Sequence, residues 1–298
     1  MKSGCQGYRL WYNFHRRNNH PGKKIKILVM PLPFADYHMH TPLCGHATGN
    51  PEEYARHAVS AGLREIGFSD HAPFVHTVDP GVTMDIKQLP DYYRMMEDVR
   101  QKFSPELTIK IGLEADFIPG YEDRTRAVLD DYPYDYIIGS VHFIGDWGFD
   151  NPAERSRWDE ADVNRVYRDY YALLRAAAQS GMFDIMGHVD LPKKFGHRAT
   201  EDLTGEVKET AEIFKESGVA VEINTAGLRK PVGEMYPALE WLKIYAQAGV
   251  ALTFGSDAHQ PDHVGKDFDR ARRLALEAGY NEYVLFKERR IERTIKLS

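Results

Sequence analysis

The feature that most constrains this chain is a repeated order: a short apolar run, a residue able to bind metal where that run ends, then an amphipathic helical pattern. The runs at residues 32–37, 65–68, 108–113, 134–139, 183–186, 219–223 and 250–254 have the length and composition of buried strands. Helical spacing separates them. Asn50-Pro51-Glu52-Glu53 opens the first helix with an N-cap, a proline in the first turn and acids at the positive dipole end, and Gly62 closes it. Further helices are expected around residues 92–103, 120–131, 163–177, 203–217, 234–248 and 263–278, followed by a β-like tail. Seven strand-helix units predict an α/β chain with a parallel, TIM-like barrel, and chains of about this length commonly form one such domain.

In a parallel barrel every strand end opens on one face, where the βα loops build the active site. The residues found there are His38 and His40, His71, Glu114, His142, His188, and Asp257 with His259. His38 and His40 stand two apart, which points both side chains to one face of an extended strand. The loop Thr41-Pro42-Leu43-Cys44-Gly45 then returns His46 to the same end. Nine ligands of this kind exceed the four that one zinc ion takes, so two or three divalent ions are implied, with zinc, iron and manganese all suited to imidazole and carboxylate. With Glu114 and Asp257 as the obvious anionic ligands, such a centre keeps a large positive charge. It therefore favours an anion with several oxygens, and phosphate is the natural candidate.

Composition narrows the partners. A net charge of −6 and a pI near 6.1 argue against extended nucleic acid. No apolar run reaches the length of a membrane span, and two cysteines, Cys5 and Cys44, cannot build a disulfide framework, so a cytoplasmic, reducing setting is expected. Cys44 reads as a small apolar filler before a thiolate ligand. The first 29 residues hold seven basic side chains and no acid, and are expected to be a poorly ordered extension ahead of a barrel domain at residues 30–298. His57, His76 and His197 read as solvated or structural.

The His-x-His after the first strand, His71, Glu114, the Ser-Val-His ending at His142, Gly-His188 and the final Asp-x-His resemble the metal motifs of the PHP (polymerase and histidinol phosphatase) superfamily. Gly-Ser-Val-His-Phe, Gly-His-Val-Asp-Leu-Pro-Lys-Lys-Phe-Gly and Glu-Ile-Asn-Thr-Ala-Gly-Leu-Arg-Lys are similar to its histidinol-phosphatases. The resemblance implies a distorted (β/α)7 barrel with three divalent ions, hydrolysing a small phosphate ester, L-histidinol phosphate. It assigns His38, His40, Glu114 and Asp257 to one ion, with Glu114 bridging to a second held by His142 and His188, and His46, His71 and His259 to a third.

The leaving alcohol needs a proton or metal stabilisation, and Asp257 and His259 are the nearest candidates by motif. Arg229, Lys193 and Lys194 follow strand ends and are the expected cations for substrate phosphate. Asp70 and Asp190 adjoin ligands and are candidates to orient imidazoles. A PHP phosphodiesterase, nuclease or nucleotide phosphatase is the alternative. An amidohydrolase acting on C–N bonds fits less well, because a lysine commonly bridges ions where this chain ends a strand in His142. A non-catalytic metal scaffold should have lost ligands. The number of subunits stays open.

Overall fold

The strands run from the predicted apolar segments with small shifts. In chain order the elements are β1 (Ala35–Asp36), α1 (Pro51–Ala61), β2 (Glu65–Phe68), α2 (Leu89–Phe103), β3 (Thr108–Asp116), α3 (Glu122–Leu129) and β4 (Tyr136–Ser140). Then come β5 (Phe143–Ile144), β6 (Trp147–Gly148), α4 (Val163–Gln179), β7 (Ile185–Met186), α5 (Thr204–Ser217), β8 (Ala220–Asn224), α6 (Leu239–Ala248), β9 (Ala251–Gly255), α7 (Phe268–Ala278), β10 (Glu282–Lys287) and β11 (Arg290–Lys296). The computed structural model describes residues 34–298; the basic segment 1–29 and the expected domain start at residue 30 lie outside the described residues.

Among the described residues, seven strands form one parallel sheet in the order β1-β2-β3-β4-β7-β8-β9. Its two ends meet: Tyr37 N donates to Phe254 O (3.1 Å), Ala258 N to His38 O (3.1 Å) and His40 N to Ala258 O (2.9 Å). The sheet is therefore a nearly closed barrel, with two-residue ladders at β1 and β7 as its irregular places. Strands buried on both faces need apolar residues throughout, and Ile66, Phe68, Ile111, Leu113, Ile137, Ile138, Val221, Ile223 and Phe254 supply them. Inside, the stacked rings of Tyr37 and Tyr136 (centroids 4.8 Å apart) fill the axis, and Tyr136 Oη donates to Tyr37 O (2.7 Å).

The tail forms the antiparallel hairpin β10–β11, which packs where the strands begin. Arg293 pairs with Glu65 (2.8 Å) at the start of β2, Arg289 pairs with Asp184 just before β7, and Arg289 N donates to Asp135 O (2.9 Å) just before β4. This floor leaves the opposite end, where the strands finish, for function. Three helices are clearly shorter than their spacing predicts, α3 (Glu122–Leu129, against residues 120–131) by two residues at each end. Pro237 precedes α6, which starts at Leu239 rather than residue 234. Gly265 and Asp267 take left-handed backbone (φ 64° and 65°), so the stretch from residue 263 becomes helical only at Phe268. No helix among the described residues is long and apolar enough to cross a membrane.

Candidate metal centre

All nine expected ligands meet at the C-terminal end of the barrel. Their donor atoms fall into overlapping groups, each within 4.8 Å: His38, His40 and Asp257; His40, His71 and Glu114; Glu114, His142 and His188; His46, His71 and His259. Glu114 is common to two of them because it lies within β3 rather than past its end, bridged in parallel to His71. One of its oxygens, Oε2, lies 3.2 Å from His38 Nε2, 3.6 Å from His40 Nε2 and 3.0 Å from His71 Nδ1. Oε1 faces His188 Nε2 at 2.9 Å and His142 Nε2 at 3.7 Å, and accepts from Ser140 Oγ (2.6 Å). The group of His46, His71 and His259 is drawn together by the first loop, with His46 Nε2 2.9 Å from His259 Nε2.

Two ligands stand on unfavourable backbone. His188 (φ 28°) and Asp257 (φ 50°) lie on the left-handed side, a conformation that a surrounding structure must enforce. At His188 the enforcement is visible: Tyr170 Oη donates to its carbonyl (3.0 Å) and its N–H donates to Glu222 Oε2 (3.1 Å).

Charge is concentrated and mostly buried. Burial alone would raise the Glu114 and Asp257 carboxyls, yet both are held well below the usual range, Glu114 by His38 and His71 and Asp257 by His38, His259 and His40. Burial lowers the His38 imidazolium, but Glu222 and Glu114 outweigh it and hold the ring well above its ordinary value. The same contest lifts His40 to about 9, through Asp257 and Asp70, and His142 to about 10, through Asp116 and Asp150. His259 goes the other way, to about 3, because burial and neighbouring His40 both oppose its charge. Burial pushes the Cys44 thiol up to about 12, which keeps it protonated although it lies near His40 and His259.

These residues fit divalent metal ions. His38 Nε2, both ring nitrogens of His40 and His188 Nδ1 are buried without a hydrogen-bond partner among the described residues, although burying an unpaired polar atom is costly. Tetrahedral bonds of about 2.0–2.1 Å place ligand atoms about 3.3 Å apart. The spacings from 2.9 to 3.7 Å around Glu114 bracket that value.

A cavity of about 840 Å³ opens over the cluster, lined by His142, His188, Asp257, His259, Phe143 and Lys194 among others. Of the expected cations, Lys194 reaches it, paired with Asp150 (2.8 Å). Lys193 does not line it: its ammonium is buried against Asp190 (2.7 Å), Glu234 (2.9 Å) and Met235 O (2.6 Å). Arg229 is turned onto the carbonyls of Thr225 and Ser256, and it is Lys230 that faces the cavity. Asp190 is likewise structural, accepting from Ala238 N (2.8 Å), whereas Asp70 holds Thr41 and the His71 amide and lies 3.5 Å from His40 Nδ1. His197 stacks on Trp158 (4.5 Å, 4°), a structural place, but His76 lines the cavity edge-on to Phe143 (4.9 Å).

Sequence reasoning passed over the acids behind the ligands. Asp116 accepts from the His142 amide (2.9 Å) and faces its Nδ1 at 3.0 Å. Glu222 Oε1 lies 2.7 Å from His38 Nδ1. The available signal was the run Val-Glu-Ile-Asn, in which a barrel strand places two polar residues on one inner face.

Comparison with known proteins agrees with this geometry. The family model of the PHP domain matches residues 36–226. Over 257 residues the chain is 45% identical to a protein of Deinococcus radiodurans named probable histidinol-phosphatase, spanning 86% of this chain and 98% of that one. It is 30% identical over 261 residues to the histidinol-phosphatase of Bacillus subtilis, spanning 78% and 96%. The crystal structure of histidinol phosphate phosphatase from Lactococcus lactis, complexed with zinc, L-histidinol and phosphate, superposes with a TM-score of 0.76 at 24% identity, over 88% of this chain and 99% of that chain.

Proposed function

This chain belongs to the PHP domain family, and from that premise we propose that its barrel mouth hydrolyses L-histidinol phosphate to L-histidinol and inorganic phosphate in a metal-dependent reaction. The observation that carries the reading is Glu114, whose two oxygens face separate groups of imidazoles, as a carboxylate bridging two ions must. On this reading His38, His40, Glu114 and Asp257 hold one ion, Glu114, His142 and His188 a second, and His46, His71 and His259 a third. Zinc is the metal bound in the crystal structure of the Lactococcus lactis relative. When bound, the ions lower the pKa of water and neutralise phosphate oxygens.

The protein's own residues do the rest. Ser140 and Asp116 fix Glu114 and His142 from behind. Asp257 and His259 serve as ligands, Asp257 beside His38 and His40 and His259 beside His46 and His71. Lys194 and Lys230 supply positive charge over the cluster, with Arg229 bracing the Ser256 carbonyl beside Asp257. Lys230 makes no side-chain hydrogen bond or ion pair among the described residues, which leaves its ammonium available to a phosphate oxygen. Asp79 on the cavity wall suits the ammonium of the substrate, whereas Asp146 and Glu154 are paired with Arg157 (3.0 and 3.1 Å).

A substrate panel tests the reading: phosphate release from histidinol phosphate, nucleoside monophosphates and a generic aryl phosphate, with metal content measured on the same sample. Histidinol phosphate should lead in kcat/KM by orders of magnitude. Equal turnover of nucleotides would favour the nucleotide phosphatase alternative and contradict it.

A further inference from the structure

We propose that Glu222 is a positioning residue shared by two neighbouring metal sites, so that those two sites load together. The inference rests on the metal assignment above and concerns the one barrel strand, β8, that contributes none of the nine ligands. Glu222 and Asn224 stand two apart on β8 and point to the same face, into the barrel mouth. Both are buried, at 1% and 0% exposure, so no bulk water can take their place.

The contacts of Glu222 divide between the sites. Its Oε1 lies 2.7 Å from His38 Nδ1; a proton held there leaves Nε2 as the metal-binding atom, and Nε2 is the buried nitrogen without a hydrogen-bond partner. Its Oε2 accepts from the His188 amide (3.1 Å) and so holds that ligand in its left-handed backbone. Asn224 Nδ2 donates to the same Oε2 (3.1 Å) and reaches Asp257 Oδ2 (3.4 Å). One carboxylate and its neighbouring amide therefore touch His38 and Asp257 of the first site and His188 of the second. A Cβ at Gly255 would lie 1.9 Å from Glu222 Oε1 and 2.6 Å from His38 Cβ, so the bridge needs glycine below it. Displacing Glu222 moves ligands of both sites, and ordering one site orders the other. His46, His71 and His259 make no contact with Glu222 among the described residues, and act as an internal control.

The test is zinc titration of the metal-stripped full chain, with bound zinc counted by elemental analysis, for the wild type, Glu222→Gln and Gly255→Ala. In the wild type two equivalents should bind in one cooperative step. Each variant should weaken those two by about 10- to 100-fold, the range seen when a group behind a metal ligand is lost, and leave a third at wild-type affinity. Wild-type affinity at every site in Glu222→Gln, or equal weakening of all three, would overturn the proposal. Should the variants fail to fold, the wild type decides: in the nitrogen NMR spectrum of the zinc-loaded protein, a His38 proton on Nδ1 supports it and one on Nε2 overturns it. A wild type that binds no zinc removes the metal assignment as well. Failure to cleave histidinol phosphate leaves this result standing.

Discussion

Glu114 offers one oxygen to His38, His40 and His71 and the other to His142 and His188, and Ser140 holds it from behind. Glu114→Gln keeps the shape but puts an amide N–H where a metal-binding oxygen should be. Metal affinity at the two Glu114 sites should fall by more than about 100-fold and turnover should be lost; a metal-replete, active variant would end the bridging assignment. Lys230→Ala should raise KM for histidinol phosphate about 10-fold, worth about 1.4 kcal/mol, with kcat and metal content nearly unchanged; unchanged KM would remove Lys230 from the phosphate site. At this scale the cluster was legible because metal-binding residue types recur at the ends of six of the seven apolar runs. The residues behind them were not. Glu222 lies 184 positions from His38, and nothing in local spacing joins an acid in one strand to an imidazole in another. The expected cations divide: Lys193, Lys194 and Arg229 all follow strand ends, and only their partners separate the buried Lys193 and the inward-turned Arg229 from Lys194 at the cavity.

Among the elements, α1 was legible to the residue. Asn50 Oδ1 accepts from Glu53 N (3.0 Å) and Glu53 accepts from Asn50 N (2.7 Å), the reciprocal cap that Asn-Pro-Glu-Glu announces. Asn50→Ala should cost about 1 kcal/mol in urea unfolding and leave kcat/KM unchanged, because the cap touches no ligand. The tail was legible as β structure, but not its place, which is set by Arg289 and Arg293 reaching acids more than a hundred residues earlier. Phe286, buried at 2% exposure beside Tyr37, anchors that hairpin to the barrel floor. Phe286→Ala should destabilise by about 3–5 kcal/mol in the same unfolding assay, and a loss below about 1 kcal/mol would mean that the floor is dispensable.

For the molecule as a whole, closure of the sheet and assembly of the centre are one event. The bonds that join β1 to β9 run through His38, His40 and Ala258, so the seam of the barrel is made of the ligand segments themselves. Metal that binds only the folded chain therefore stabilises the closed barrel, and chelation should lower Tm by several degrees, reversed on adding zinc. The barrel was readable from sequence because its period is local and repeated seven times. Its seam was not, since it pairs the two ends of the fold. The most direct measurement restores zinc stepwise to the stripped protein and follows bound metal and phosphate release from histidinol phosphate in one sample. Turnover should be absent without metal and should saturate only after more than one equivalent is bound. Full turnover by the metal-free protein would contradict the account.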